Sequence, residues 1–137
     1  MKIFITLVLI YSSLIANNFN DGIKFYKEKN FKEAAVSFKK AANNGNLEAS
    51  YILGYFYTGG LGVKHDLKES LVWYTKAASA GHVNAQINLG FMYIAGHGTD
   101  SNYKKAAYWI NKAKQNGNEK ALKLWNEFEL ANHIKEK

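Results

Sequence analysis

The sequence contains no cysteine and no proline. Without cysteine there is no disulfide, no thiolate nucleophile and no cysteine-ligated zinc. The redox compartment stays open, because an exported protein can fold without bridges. Without proline, every residue keeps a backbone donor and no helix interior is broken for that reason. Arginine is missing as well: all 18 basic residues are lysine, and the formal net charge is +7. Nucleic-acid readers draw on the guanidinium fork for phosphate and guanine. These lysines are spread along the chain, many at one recurring position, like a solvated helix face. A nucleic-acid partner is therefore not expected. At 137 residues the chain fits one domain.

Residues 1–16 read as an export signal. Lys2 is followed by the apolar core Ile3 to Ile10, then by small residues near Ala16. Cleavage is expected after Ala16. The apolar stretch is short for a membrane span, which needs about 20 residues, so no span is expected once the signal is cut. An uncleaved anchor and a buried N-terminal helix are the alternatives. The mature chain, from about Asn17 to 137, would be periplasmic or secreted.

The rest of the chain is periodic. Ala49, Ala85 and Ala121 stand 36 residues apart, as do Leu53 and Leu89, Gly54 and Gly90, Tyr57 and Tyr93, and Trp73 and Trp109. Lys40, Lys76 and Lys112 form another series, and Gly45, Gly81 and Gly117 a further one. Such a period marks stacked supersecondary units. In the first helix of unit two, Ala49, Leu53, Phe56 and Tyr57 make one apolar stripe. Gly54, inside that helix, implies close approach of a neighbour, with Ala77 and Ala113 as plausible counterparts. Asn30, Asp66 and Asn102 are expected N-caps of the second helices. Glu33 and Glu69 add capping-box spacing to the first two. Gly45, Gly81 and Gly117 are expected stops. The glycine loop 58–63 joins the helices of unit two, with Val63 plugging the gap between them; unit one has a shorter connection. Units are expected at about 18–45, 46–81 and 82–117, closed by one capping helix at about 119–133.

The run Ala-x-x-x-Leu-Gly-x-x-Tyr-x-x-Gly-x-Gly-Val-x-x-Asp, followed by Tyr-x-Lys-Ala-Ala-x-x-Gly, spans Ala49 to Gly81. It resembles the Sel-one-like repeat family, a longer-looped branch of the tetratricopeptide repeats. The resemblance implies an all-α, right-handed superhelical solenoid of antiparallel helix pairs that serves as an adaptor. It also implies a relation to the cysteine-rich repeat proteins of Helicobacter, associated with penicillin binding and weak β-lactamase activity. The paired cysteines of that branch would fall near Ala78 and Gln86, and neither is cysteine here.

Chemistry is sparse. Ser37 and Lys40 match Ser-x-x-Lys, but Lys40 belongs to the repeat lysine series and Ser37 takes the place of Trp73 and Trp109. His65, His82, His97 and His133 have no metal-ligand spacing; His97 beside Asp100 is the one suggestive pair. Gly60-x-Gly62 lacks the other marks of a phosphate loop. No catalytic residue, metal or cofactor is expected, and a weak β-lactamase remains the alternative function. Phe38, Tyr57, Trp73, Tyr74, Tyr93 and Trp109 are expected in the core. If the first helices line a concave face, as in related solenoids, the partner-binding candidates are Glu48, Tyr51, Tyr55, Asn84, Ile87 and Phe91, with Thr58 and Ile94 nearby. The expected partner is another protein or a peptide segment, held chiefly by Tyr55 and Phe91, which share one repeat position.

Overall fold

The computed structural model describes residues 17–134, and these form an all-α chain. The expected export signal at 1–16 lies outside the described residues. Helix α1 is described over residues 17–27. Then follow α2 (Phe31–Asn43), α3 (Leu47–Gly59), α4 (Leu67–Ser79), α5 (Val83–Ala95), α6 (Tyr103–Gln115) and α7 (Glu119–Glu127). A short 3-10 turn, Leu130–His133, ends the described chain. Among the described residues no helix is long and apolar enough to cross a membrane.

Each helix packs on the next in chain order, from α2 on α3 through α6 on α7, and the terminal turn folds back on α6. This nearest-neighbour pattern is that of a solenoid, in which a unit depends on its flanks for hydrophobic cover. The cores show how. Trp73 on α4 closes the cluster built by Ala34, Phe38, Leu53 and Phe56 of the preceding helices. Trp109 on α6 packs in the same way against Tyr74, Ala77 and Leu89. At the end of the stack Trp125 and Leu124 of α7, with Leu130, complete the cluster around Ile110. Phe38 and Phe56 meet edge to face, with centroids 5.6 Å apart, a geometry worth about 1 kcal/mol beyond the area buried.

Several sequence expectations are refined. The close approach at the helix glycines is made by large side chains, not by Ala77 and Ala113. A Cβ on Gly22, Gly54 or Gly90 would lie 2.6, 2.5 or 2.4 Å from Phe38, Tyr74 or Ile110 respectively. These three partners are themselves 36 residues apart. Asp66 and Asn102 cap their helices, Asp66 Oδ1 accepting from the backbone N–H of Lys68 and Glu69. Asn30 makes no side-chain cap: the short connection of unit one turns through Lys29 at φ 60°, which leaves Asn30 outside the extended conformation a cap needs. The reciprocal half of the capping boxes is also unused. The N–H groups of Asn30, Asp66 and Asn102 go instead to the carbonyls of Phe25, Tyr57 and Tyr93.

The expected single capping helix to about 133 breaks early. Glu129 takes a left-handed φ of 48°, and the chain turns so that Leu130 enters the core with no exposed surface. Leu122 on α7 is 48% exposed.

Candidate partner-binding groove

Helices α3, α5 and α7 each contribute side chains to one cavity, together with α4. Tyr55 on α3 and Phe91 on α5 are 51% and 44% exposed. Both line this cavity, which measures about 450 Å³. The buried Ile87, Met92 and Tyr74 form its floor, His97 stands edge-on to Phe91 at 6.1 Å, and Lys120 and Leu124 of α7 complete the lining. The lining contains no carboxylate. A mostly apolar cleft with a few polar groups is the usual form of a binding site.

The polar groups of the floor are organised. Thr58 and Ser70 hydroxyls lie 2.7 Å apart, and both reach the carbonyl of Gly54, at 2.9 and 2.8 Å. Burial pushes the Tyr74 phenol above its ordinary value of 10.0, while Asn88 and Thr58, as hydrogen-bonding partners, act in the opposite direction. The folded chain thus keeps this proton past the pH at which the unfolded phenol releases it. The stability linked to it is whole below about pH 10 and is lost as pH rises through the folded value. Circular dichroism melts between pH 8 and 12 are expected to show a falling Tm above about pH 10, and Tyr74→Phe to flatten that fall; an identical fall in the variant would assign the effect to other groups.

The six sequence candidates do not converge on one spot. Tyr55, Ile87 and Phe91 line the cavity, but Ile87 is only 2% exposed and serves as floor. Glu48, Tyr51 and Asn84 lie outside it. Glu48 accepts from His82 at 2.9 Å, and Tyr51 stacks on the His82 ring at 4.5 Å. Asn84 is exposed in the first turn of α5. Thr58 lines the cavity, and Ile94 is buried in the core.

His82 is the residue that sequence reasoning missed. Its Nδ1 accepts from the N–H of Ala85 as the N-cap of α5, so Nε2 carries the proton donated to Glu48. It thereby ties α5 to α3 and holds Tyr51. The signal was available: His82 stands midway between Asn46 and Asn118, both N-caps, at 36-residue spacing. The other candidates stay apart. Ser37 is buried while Lys40 is exposed, and no hydrogen bond joins them among the described residues. His65 Nδ1 meets the Thr58 carbonyl at 2.8 Å and closes the loop. No three His, Asp or Glu side chains converge among the described residues.

The Sel1 repeat model matches the chain at residues 16–46, 47–82 and 83–118. The chain belongs to the Sel1 repeat family. Proteins with these repeats are in general protein-interaction modules. Similar solved structures include a Sel1 repeat protein from Oxalobacter formigenes, 36% identical with a TM-score of 0.68 over 76% of this chain. A protective antigen of uropathogenic Escherichia coli with the same fold is 31% identical, with a TM-score of 0.75 over 78% of the chain. The present chain spans 41% and 24% of those two proteins. Cysteine rich protein B of Helicobacter pylori is 29% identical with a TM-score of 0.64, over 67% of this chain and 69% of that one. No curated protein is a significant match.

Across the boundary between the second and third Sel1 repeats, the two positions where the resemblance places a cysteine pair are in contact. Gln86 Nε2 donates to the carbonyl of Ala78 at 3.2 Å, and Gln86 Oε1 is buried without a partner among the described residues. Ala78→Cys with Gln86→Cys is expected to form a disulfide under oxidising conditions. Closing so short a loop should add about 2–3 kcal/mol, read as a Tm that rises on oxidation and returns on reduction. Two thiols that stay titratable in the oxidised sample would contradict this.

Proposed function

We propose that this Sel1 repeat chain is a non-catalytic adaptor of the bacterial cell envelope, holding a segment of a partner protein in the groove between α3, α5 and α7. The observation that supports it is the pair Tyr55 and Phe91, one from each of two units, half exposed beside the same cavity. Rings needed only for the chain's own packing would be buried, as Phe38 and Phe56 are. Exposed aromatic side chains lining a cleft are common anchors of an interface. The floor offers room for an apolar side chain of the partner, and the Lys120 ammonium in the lining suits a carboxylate beside it.

The pattern of residues 1–16 supports export, which places the groove in the periplasm or outside the cell; an uncleaved anchor would leave it facing the same compartment. Affinity capture from envelope fractions, with the full chain as bait, is expected to retain one partner at equal stoichiometry. A chain that emerges alone from every fraction would contradict the reading. N-terminal sequencing of the cellular protein is expected to begin near Asn17, whereas a start at Met1 would mean an uncleaved anchor or a buried N-terminal helix.

A further inference from the structure

The second helices carry charge of one sign. Helices α2, α4 and α6 hold nine lysines against two carboxylates, Glu33 and Glu69, and that difference of +7 equals the formal net charge of the whole chain. Nothing nearby neutralises it: the one ion pair among the described residues joins His82 to Glu48, and none involves a lysine.

This charge is arranged around apolar side chains. Val36, Val72 and Tyr108 occupy one repeat position and are 52%, 59% and 50% exposed. Four residues before each stands a lysine: Lys32, Lys68 and Lys104. Four residues after each stands another: Lys40, Lys76 and Lys112. Residues at i, i+4 and i+8 share one helix face at steps of about 6 Å. Each second helix therefore shows a row of lysine, apolar residue, lysine. The rows lie side by side. Lys76 Nζ donates to the carbonyl of Ala42 at 2.8 Å, which brings α4 against α2. Trp109 sits in the cluster of Tyr74 and Ala77, which brings α6 against α4. Lys112 is held 4.9 Å from the Tyr108 ring, so its charge stays beside the apolar row.

We infer that this face docks on an anionic lipid bilayer. Apolar side chains flanked by lysines match the depth profile of a headgroup layer: Val36, Val72 and the Tyr108 ring enter the interface, and the ammonium groups of Lys32, Lys40, Lys68 and Lys104 meet lipid phosphates. Lysine suits such a surface, because a fluid layer of phosphates demands charge and not a fixed fork. A nucleic-acid duplex would favour arginine, which the chain lacks. A peptide partner anchors its side chains in a pocket, and the residues of these rows do not line the cavity described above. Docking here leaves that groove open, so the inference stands apart from the adaptor reading.

The test is co-sedimentation of the full chain with vesicles of phosphatidylcholine alone and with one quarter phosphatidylglycerol. Residues 1–16 are apolar and can bind either vesicle, so the readout is the ratio between the two. Partitioning is expected to favour the anionic vesicles about 100-fold or more at low salt and to fall as sodium chloride is raised. Lys32→Gln, Lys68→Gln and Lys104→Gln together should remove about 100-fold of that preference, near fivefold per lysine, and leave binding to neutral vesicles unchanged. Arginine at the same three positions should restore it. Val36→Ser, Val72→Ser and Tyr108→Ser should weaken anionic binding at every salt concentration. Equal partitioning to both vesicles, or salt-independent binding of the unmodified chain, would overturn the inference without recourse to any variant. So would duplex DNA that outcompetes the anionic vesicles while the serine variants bind as the parent does.

Discussion

Gly62→Ala and Gly98→Ala are each expected to lower Tm by about 12–16 °C. Both glycines sit in the loops between helices at φ 64° and 73°. A Cβ on Gly62 would fall 2.2 Å from the backbone carbonyl of Phe31, and one on Gly98 would fall 2.3 Å from that of Leu67. The obstacle is the first turn of the preceding unit's second helix, which cannot swing aside like a side chain. The left-handed conformation costs alanine about 1–2 kcal/mol, and displaced packing adds about 1–3 kcal/mol. A total near 3–4 kcal/mol corresponds to the stated shift, at about 4 °C per kcal/mol for a domain of this size. Gly45→Ala and Gly81→Ala supply the control. They also have positive φ, but nothing lies within 4 Å of the added carbon, so only the conformational part remains and the loss should be near 4–8 °C. Thermal melts followed by circular dichroism separate the two classes; equal losses in both would remove the backbone contact between units as the cause.

Replacing both Tyr55 and Phe91 by alanine should weaken partner capture at least 100-fold while Tm moves by no more than about 2 °C. Truncating an anchor at the centre of an interface typically costs about 2 kcal/mol or more, and each 1.4 kcal/mol is a factor of ten. Folding has little to lose, since both rings are about half exposed and Phe91 touches only the edge of His97 among described ring contacts. Tyr51 should behave in the opposite manner. Its ring stacks on His82 and leans on Tyr74 at 5.8 Å, so Tyr51→Ala should lower Tm more than it lowers capture. Equilibrium binding and melting on the same three preparations provide the comparison. Capture that survives loss of both Tyr55 and Phe91 would move the interface elsewhere.

The repeat was legible because each unit satisfies the same packing problem with the same residues, so Ala49 and Ala85, Leu53 and Leu89, and Trp73 and Trp109 report equivalent sites at one spacing. The helix stops were legible for the same reason: Gly45, Gly81 and Gly117 all take positive φ. What stayed hidden depends on contacts between units. Periodicity marked Gly54 as a point of close approach but could not say that Tyr74 fills it, since spacing along one helix carries no information about which side chain leans across. His82 was set aside as lacking ligand spacing and given no structural role, because its place in the N-cap series is visible only once the first helices are aligned by their starts. The same limit applied to the groove. Tyr55 and Phe91 were legible as a matched pair, whereas Lys120 and Leu124 reach the cavity from the cap, and Glu48 and Tyr51 are drawn off to His82. Glu129 broke the terminal helix because burying Leu130 outweighed about 1–2 kcal/mol of left-handed strain, a balance that local propensity does not contain.

The most direct measurement is site-specific photo-crosslinking in living cells, with a photoreactive phenylalanine at position 55, at position 91 and, as a control, in place of Ser79, which is exposed at the end of α4 outside the groove. A single partner segment lying across both units should give the same protein adduct from 55 and 91, with crosslinked peptides adjacent in that partner, and none from 79. Different adducts from the two groove positions, or one adduct common to all three, would contradict it.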